Sequence, residues 1–255
     1  MIGTDMIIHR LIYRFLRHGD DECFYRIQAG GTVGWLHEVG ARMDGGVTVL
    51  DLGCGKGMIG GELMDRGCQV TFADEQSWLL PEYRDAEFRT VNIEEDDLGA
   101  IGRYDLVICS NVLEHVSNTE RFLSSIDRLL EPGGKFYLSW TNWLSPWGGH
   151  EYSPFHYLGR RRGHLVYDRL LRRPRKHTPY VNLFPTSIGS VLRTLRGNHV
   201  LKVLAVVPRY YPELSFVTRI PLLREFLTWN CVILLERSET SKARESAGSH
   251  EKAKQ

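Results

Sequence analysis

A glycine-rich segment between an apolar run and a helical run is the clearest chemical signal in the chain. Residues 49–61 read VLDLGCGKGMIGG, so that Asp51 precedes Gly53, Gly55 and Gly57. Glycine lets the backbone turn sharply and approach a ligand closely, and the free N–H groups at the start of a helix favour an anionic group. The segment therefore predicts a cofactor site where the first apolar run ends.

Two kinds of cofactor fit this loop. Residues 55–60 match the GxGxxG pattern of dinucleotide-binding proteins, and Asp74 stands 19 residues beyond Gly55, as that pattern requires. A single GxGxxG is a weak signal, however. Asp51, two residues before the first glycine, suits a ligand with a cationic ammonium better than a pyrophosphate. An NAD(P)-type oxidoreductase stays open as an alternative, and so does a non-catalytic scaffold that binds a cofactor.

The segments around the loop alternate between short strands and helices. Strands are predicted at 47–53, 68–74, 87–92, 104–111 and 135–140, with helices at 57–67 and 118–134. Beyond an irregular stretch at 141–185, a helix is predicted at 187–197 and strands at 199–208 and 228–237, around a second irregular piece at 209–227. This order predicts an α/β fold, a doubly wound Rossmann-like sheet of seven mostly parallel strands with helices on both faces.

The same pattern divides the chain into three regions. Residues 1–45 have helical spacing and predict an N-terminal helical cap. Residues 46–237 form the main domain, with an inserted substrate lid at 141–185. Residues 238–255 contain no large apolar side chain and are predicted to be a disordered tail.

The composition of the 255 residues excludes several classes of protein. The chain has 32 Lys and Arg against 31 Asp and Glu, a net charge of +1, so it is not a generally basic nucleic-acid coat. Its five cysteines are an odd number without CxxC spacing, which argues against a disulfide framework. No apolar run approaches the ~20 residues of a membrane span, and no signal peptide is recognisable. A cytoplasmic protein is predicted.

Four segments, in order, resemble the class I S-adenosylmethionine-dependent methyltransferases, in the group with the type 11 and the ubiquinone and menaquinone methyltransferases. They are VLDLGCGKG (49–57), VTFADEQ (70–76), YDLVICSNVLEHV (104–116) and LLEPGGKFYLSW (129–140). The resemblance implies transfer of a methyl group from S-adenosyl-L-methionine (SAM) to a small-molecule or lipid-like acceptor. We predict O-methylation as the reaction.

The resemblance also implies which residues hold SAM. The glycine loop with Asp51 would bind the methionine end, and Asp74 would accept hydrogen bonds from both ribose hydroxyls, although it could be only a strand-end turn residue. Asn92 stands where the family often has an acid near the adenine. Glu94 or Glu95 could be the adenine partner instead, and Asn92 could then be only a turn residue. The predicted cofactor-binding residues are Asp51, Gly53, Cys54, Gly55, Gly57, Asp74, Glu75, Asn92, Ile93 and Asn111.

Three histidines are candidates for a general base. A hydroxyl acceptor must lose a proton, and an imidazole ionises close to neutral pH. The candidates are His150, His156 and His115, in that order. Packing at the start of a helix is the alternative role of His115. No metal is predicted, because no set of His, Asp and Glu has a recognisable ligand spacing.

The insertion combines aromatic and basic residues. Its aromatic side chains, near 143–157, predict a wall and lid for the acceptor, or else a loop that closes the core. The stretch from Arg160 to Lys176 contains eight Arg or Lys and one acid, a local charge of +7. This charge predicts contact with phosphate groups on an anionic acceptor or with an anionic membrane surface, and a solvated face is the alternative. Nucleic acid is not expected as a partner, because no RNA-binding motif is recognisable.

Overall fold

In the computed structural model, residues 21–171 and 176–239 are described. The first 20 residues of the predicted N-terminal helical cap, the arginines at 172, 173 and 175, and most of the predicted tail lie outside these ranges. The helices are α1 (Asp21–Glu38), α2 (Met58–Met64), α3 (Thr119–Ser125), α4 (Gly159–Leu170), α5 (Ile188–Arg196) and α6 (Pro221–Leu227). The strands are β1 (Thr48–Leu52), β2 (Gln69–Asp74), β3 (Glu87–Thr90), β4 (Tyr104–Ser110), β5 (Leu130–Thr141), β6 (Leu201–Pro208) and β7 (Asn230–Arg237).

The seven strands form one sheet in the order β3-β2-β1-β4-β5-β7-β6. The pairs among β3, β2, β1, β4 and β5 are parallel, whereas β7 runs antiparallel to both β5 and β6. The predicted α/β sheet of seven mostly parallel strands is thereby confirmed. Because β1 and β4 are neighbours whose connections leave in opposite directions, their carboxyl ends form the crevice in which such sheets bind ligands.

Helices cover both faces of the sheet, as expected. The alternation of side chains along a strand sends Leu50 and Leu52 of β1 to one face, where they join Phe122 of α3 and Val191 of α5. Val49 of β1 points to the other face and joins residues of α1 and α2 in a second cluster. Asp51 has the same parity as Val49, so the strand pattern directs its side chain towards α1 and α2.

The element boundaries differ from the prediction mainly around β5. The predicted helix at 118–134 ends at Ser125, continues as a 3₁₀ turn at Ile126–Leu129, and gives way to β5 at Leu130. Leu130 pairs with Tyr104 of β4, so strand pairing takes residues that helical spacing had assigned to the helix. Proline at 132 also cannot continue a helix without losing a hydrogen bond.

The two stretches predicted to be irregular contain helices. The insertion holds α4, and the piece at 209–227 holds a 3₁₀ helix at Pro212–Arg219 followed by α6. The predicted weak strand at 87–92 shortens to β3. Within the described ranges, no helix is both long enough and apolar enough to cross a membrane.

Candidate active site

A cavity of about 280 Å³ lies at the carboxyl ends of β1 and β4. Five residues predicted to bind the cofactor line it, namely Asp51, Gly53, Cys54, Gly55 and Asn111. The remaining lining residues are Tyr25, Gln28, Lys56, Met58, Ile59, Ser110 and Arg209. The structure therefore brings the glycine loop and the end of β4 together, as the sequence motifs required.

The glycine loop owes its shape to backbone conformations that other residues rarely adopt. Gly53 has a φ of 71°, and a Cβ at this position would stand 2.3 Å from Cγ2 of Val112. The N–H groups of Gly53 and Cys54 both donate to the Ala73 carbonyl, which holds the loop against β2. A side chain at residue 53 would push Val112 away from the loop, so glycine is required there.

Asp51 is buried at the floor of the cavity, with 3% of its surface exposed. Its Oδ2 accepts a 2.9 Å hydrogen bond from the Gly60 N–H in the first turn of α2. Burial raises the pKa of Asp51 to about 7, opposed by the Gly60 hydrogen bond and assisted by the nearby charge of Asp74. A cationic ligand group in the cavity would favour the ionised carboxylate.

Asp74 ends β2 and closes the other side of the loop. Its Oδ2 accepts from the Gly55 N–H at 2.9 Å, and its Oδ1 accepts from the Glu75 N–H at 2.8 Å. Each carboxylate oxygen has a further lone pair for a ligand donor. The neighbouring side chain of Glu75 is exposed, and Gly57 lies deeper, at the start of α2.

Asn111 connects three separate segments at the rim of the cavity. It has a φ of 58°, a conformation that asparagine tolerates better than most residues. Its Oδ1 accepts from Asn230 Nδ2 at 2.7 Å and from an Arg209 Nη at 3.3 Å, and its Nδ2 donates to Gln28 Oε1 at 3.3 Å. These bonds fix the loop after β4 against α1 and β7.

Arg209 is the functional candidate that the sequence did not reveal. It is 8% exposed and donates to Thr32 Oγ1 at 3.0 Å as well as to Asn111. Among the described residues, no carboxylate lies within ion-pair distance of its guanidinium group. A sequence signal did exist, since an arginine directly follows the apolar run at 199–208, and the carboxyl end of that strand faces the crevice.

Asn92 and Ile93 lie outside this cavity. The Oδ1 of Asn92 accepts from the Glu94 N–H at 2.9 Å. This hydrogen bond forms a turn, which was the alternative role of Asn92. Ile93 is partly buried against the core cluster that includes Leu50 and Leu52, and it lines a larger groove of about 770 Å³. That groove is bordered by the carboxylates of residues 94–97 and contains none of the glycine loop.

Two of the three predicted histidines, His115 and His150, lie close together and beside another histidine, His177. The ring centroids are 5.8 Å apart for His115 and His150, 5.2 Å for His115 and His177, and 4.7 Å for His150 and His177. Burial lowers the pKa of His150 to about 4, and the charges of His177 and His115 act in the same direction. His177 was not among the predicted site residues.

His156 has a different environment from the other two predicted histidines. It is 2% exposed, its ring contacts those of Trp143 and Tyr157, and its Nε2 lies 3.2 Å from the Ser145 carbonyl oxygen. Burial lowers the pKa of His156. The side chain therefore packs inside the insertion, and the structure does not bring it into the cluster of His115 and His150.

Comparison with known proteins decides the family. A family model described as a methyltransferase domain matches residues 18–182, which include the glycine loop, Asp74, the segment after β4 and most of the insertion. The chain belongs to this methyltransferase family. The predicted class of enzyme is thereby confirmed, in preference to the oxidoreductase alternative.

Relatives of the methyltransferase cover nearly its whole length. It is 33% identical over 227 residues to an uncharacterized methyltransferase of Mycobacteroides abscessus, covering 84% of this chain and 87% of the relative. It is also 33% identical over 254 residues to an uncharacterized methyltransferase of Mycolicibacterium gilvum, covering 92% and 99%.

Solved structures share the fold of the methyltransferase. A SAM-dependent methyltransferase from Mesorhizobium loti aligns with a TM-score of 0.54 and 20% identity over 81% of this chain and 98% of that chain. An N-methyltransferase from Burkholderia thailandensis, solved with S-adenosylhomocysteine, aligns with a TM-score of 0.52 and 14% identity over 91% and 88%. Family and fold agree with the motif evidence, and the predicted cofactor of this methyltransferase, SAM, is confirmed.

Proposed function

We propose that the cavity at the glycine loop holds the methionine end of SAM between two opposite charges. The ammonium group of SAM would face the carboxylate of Asp51, and its carboxylate would face the guanidinium of Arg209. The observation that carries this proposal is that Asp51 and Arg209 line one cavity and are both buried. Among the described residues, Asp51 has no cationic partner and Arg209 has no carboxylate partner. A zwitterion is the kind of ligand that compensates both.

The rest of SAM would follow the loop towards β2 and β3. Asp74 would accept the two ribose hydroxyls, with Gly53, Cys54, Gly55, Gly57 and Asn111 forming the backbone wall and Glu75 at the solvent edge. The adenine would extend towards Ile93 and Asn92. Gly55 already binds the carboxylate of Asp74, so the loop and the ribose partner form one preorganised unit.

We further propose that the acceptor is a small molecule that is methylated on a hydroxyl oxygen. The support is the set of polar side chains that follows β4, where His115 and the buried Glu114 meet His150 of the insertion. Such groups bind and orient a hydroxyl. A neutral amine is nucleophilic enough to attack before it loses a proton, so it needs this arrangement less than a hydroxyl, which is a weak nucleophile until its proton is removed.

The reaction would be an in-line displacement at the sulfonium methyl. The acceptor oxygen forms a bond to the methyl carbon while the bond from carbon to sulfur breaks, S-adenosylhomocysteine leaves, and the hydroxyl proton passes to a nearby base or to solvent. Most of the rate comes from holding the oxygen in line with the sulfonium and excluding water, because SAM is already activated. The insertion at 141–185 would provide that enclosure.

The test combines binding with product analysis. In titration calorimetry we expect SAM and S-adenosylhomocysteine to bind and NAD to give no heat. Incubation with SAM and matched panels of phenols and aryl amines should yield methyl ethers by mass spectrometry. Preferential NAD binding would overturn the cofactor site, whereas methylated amines without methyl ethers would overturn only the proposed O-methylation.

A membrane contact through the insertion is a further part of this proposal. Helix α4 has exposed arginines at 160, 162 and 169, and its exposed leucines include Leu165, 72% exposed, and Leu170, 66% exposed. Basic and apolar side chains together suit an anionic membrane surface or a lipid-like, anionic acceptor. The enzyme would then act as a cytoplasmic protein that associates peripherally with the membrane.

Replacing Arg160, Arg162 and Arg169 together by glutamine should reduce binding to phosphatidylglycerol-containing vesicles at least about tenfold at low salt. Sedimentation with vesicles measures this, and added salt should weaken the wild-type binding. The matched control removes three exposed arginines elsewhere, Arg42, Arg66 and Arg84, and should bind like wild type. If wild type ignores anionic vesicles, the membrane contact is refuted.

A further inference from the structure

Side chains with metal-binding atoms converge where the insertion meets the loop after β4. One ligand atom from each of Glu114, His115 and His150 lies within 4.8 Å of the others. A second such group joins His150 to Glu151 and His177. The members come from positions up to about 60 residues apart in the sequence, so only the fold creates this cluster.

The histidines at the two sides of the cluster are oriented by their second nitrogen atoms. The Nδ1 of His115 lies 2.7 Å from the Asn182 carbonyl oxygen, and the Nδ1 of His177 lies 2.8 Å from Oε2 of Glu151. Both partners are acceptors, so each Nδ1 carries the hydrogen and each Nε2 keeps its lone pair. A histidine whose other nitrogen is bound to a carbonyl or carboxylate is the usual arrangement around a protein-bound metal.

The centre of the cluster contains buried atoms without a hydrogen-bond partner. Glu114 is 2% exposed, and its Oε1 accepts from the Thr141 N–H at 3.0 Å, whereas its Oε2 has no partner within the described residues. His150 Nε2 is likewise buried and unpartnered there. No Lys or Arg of the described ranges lies at ion-pair distance from Glu114. A buried carboxylate with an unfilled oxygen is costly unless a cation compensates it.

The backbone at His150 supports the same conclusion. His150 has a φ of 50°, one of three positive values among the described non-glycine residues. This conformation costs free energy in an L-residue, and such strain is found mainly where the surrounding structure needs one side-chain direction. Here that direction brings the imidazole close to Glu114 and His115 and also to His177.

We infer that Glu114, His115 and His150 bind a divalent transition-metal ion, with His177 as a fourth ligand held in place by Glu151. Two or three imidazoles and one carboxylate suit Zn²⁺, Fe²⁺ or Co²⁺ and do not suit Mg²⁺ or Ca²⁺, which prefer oxygen ligands. Bonds of about 2.1 Å in a tetrahedral site would place ligand atoms about 3.4 Å apart. The ligand atoms of Glu114, His115 and His150, which lie within 4.8 Å of one another, would therefore approach one another by at most about 1.4 Å around the ion.

The inference goes beyond the proposed function, and its test does not need that function. The ion would fasten both ends of the insertion to the loop after β4. If O-methylation is also correct, the acceptor hydroxyl would take a fifth position on the ion or replace His177 as the fourth ligand, and the ion would lower the pKa of that hydroxyl. His115 and His150 would then be ligands of the metal, and the proton would leave to solvent rather than to an imidazole.

Metal binding to the tag-free, chelator-treated full chain tests the inference. We expect titration calorimetry to show one Zn²⁺ per chain, Co²⁺ to give visible absorption bands typical of a protein-bound site, and Zn²⁺ to raise the melting temperature. Mg²⁺ should give no heat. Absence of stoichiometric Zn²⁺ and Co²⁺ binding by the wild-type chain would overturn the site.

Variants separate the ligands from general effects. His115→Ala should weaken Zn²⁺ binding at least about 100-fold, and Glu151→Gln about 10-fold or more, since it only orients His177. His199→Ala, an exposed histidine elsewhere, should bind like wild type. Unchanged Zn²⁺ affinity in His115→Ala refutes the ligand assignment. Zn²⁺ binding without methyl ethers would refute only the O-methylation, and methyl ethers without Zn²⁺ binding would refute only the metal site.

Discussion

Replacing Asp74 by alanine is expected to raise the dissociation constant for SAM at least about 100-fold. Two hydrogen bonds from ribose hydroxyls to a carboxylate are worth roughly 1.5–3 kcal/mol each, and ~1.4 kcal/mol corresponds to tenfold in affinity. The variant also loses the acceptor of the Gly55 N–H, which Asp74 Oδ2 holds at 2.9 Å. Titration calorimetry with SAM measures the change, and circular dichroism verifies the fold.

Two further variants identify the source of this loss. Asp74→Asn keeps one acceptor oxygen for the loop but loses the charge, so its affinity should lie between wild type and Asp74→Ala. Glu75→Ala changes the adjacent, exposed acid and should weaken SAM binding less than tenfold. If Glu75→Ala has the larger effect, Glu75 is the ribose partner. An unchanged SAM affinity in Asp74→Ala would show that Asp74 is only a turn residue.

The second large effect is expected at Arg209. Arg209→Met should weaken SAM binding about 10- to 100-fold, because a charge-assisted pair with the ligand carboxylate is worth roughly 1.5–3 kcal/mol. Methionine keeps an extended, unbranched side chain in the same space. S-adenosylhomocysteine carries the same carboxylate and should lose affinity by a similar factor, whereas 5′-methylthioadenosine, which lacks it, should not.

Stability distinguishes this role from a structural one. Removing a buried cation that has no carboxylate partner costs little and can stabilise a protein. The acceptors of Arg209 keep other donors, because Asn111 Oδ1 retains Asn230 and Thr32 Oγ1 lies 3.3 Å from the Tyr137 hydroxyl. We therefore expect a melting temperature close to wild type. The exposed Arg66→Met serves as control, and a loss of acceptor turnover with unchanged SAM affinity would assign Arg209 to the acceptor instead.

The charged groups of the cavity and the buried cluster beyond it follow one pattern. Asp51, Arg209 and Glu114 are each more than nine-tenths buried, and none is neutralised by a partner of opposite charge within the described residues. Native interiors rarely keep such groups without a ligand. Three such groups along the carboxyl edge of one sheet indicate that this edge is shaped for binding. The protein is less stable without a ligand than it would be with apolar side chains at these positions.

The amino-acid sequence was enough to predict the glycine loop, the acid that ends β2, the segment after β4 and therefore the family. These signals are local. Gly53 is needed because of a positive φ and a close neighbour, and Asp74 stands at the end of an apolar strand, so short stretches of sequence were enough to predict both. The order of strands and helices then predicted the sheet, because βαβ connections have a preferred hand.

The distant residues that complete the site are known only from the folded chain. Arg209 reaches the crevice because β6 pairs with β7 and ends beside Asn230. Gln28 reaches it because α1 packs against the sheet, where Gln28 contacts Asn111. His177 joins His115 and His150 because the insertion folds back on the loop after β4. Contacts between residues far apart in the chain leave no periodic pattern in the sequence. The same reason separated His156 from the other two histidines, since its burial depends on how the aromatic side chains of the insertion pack.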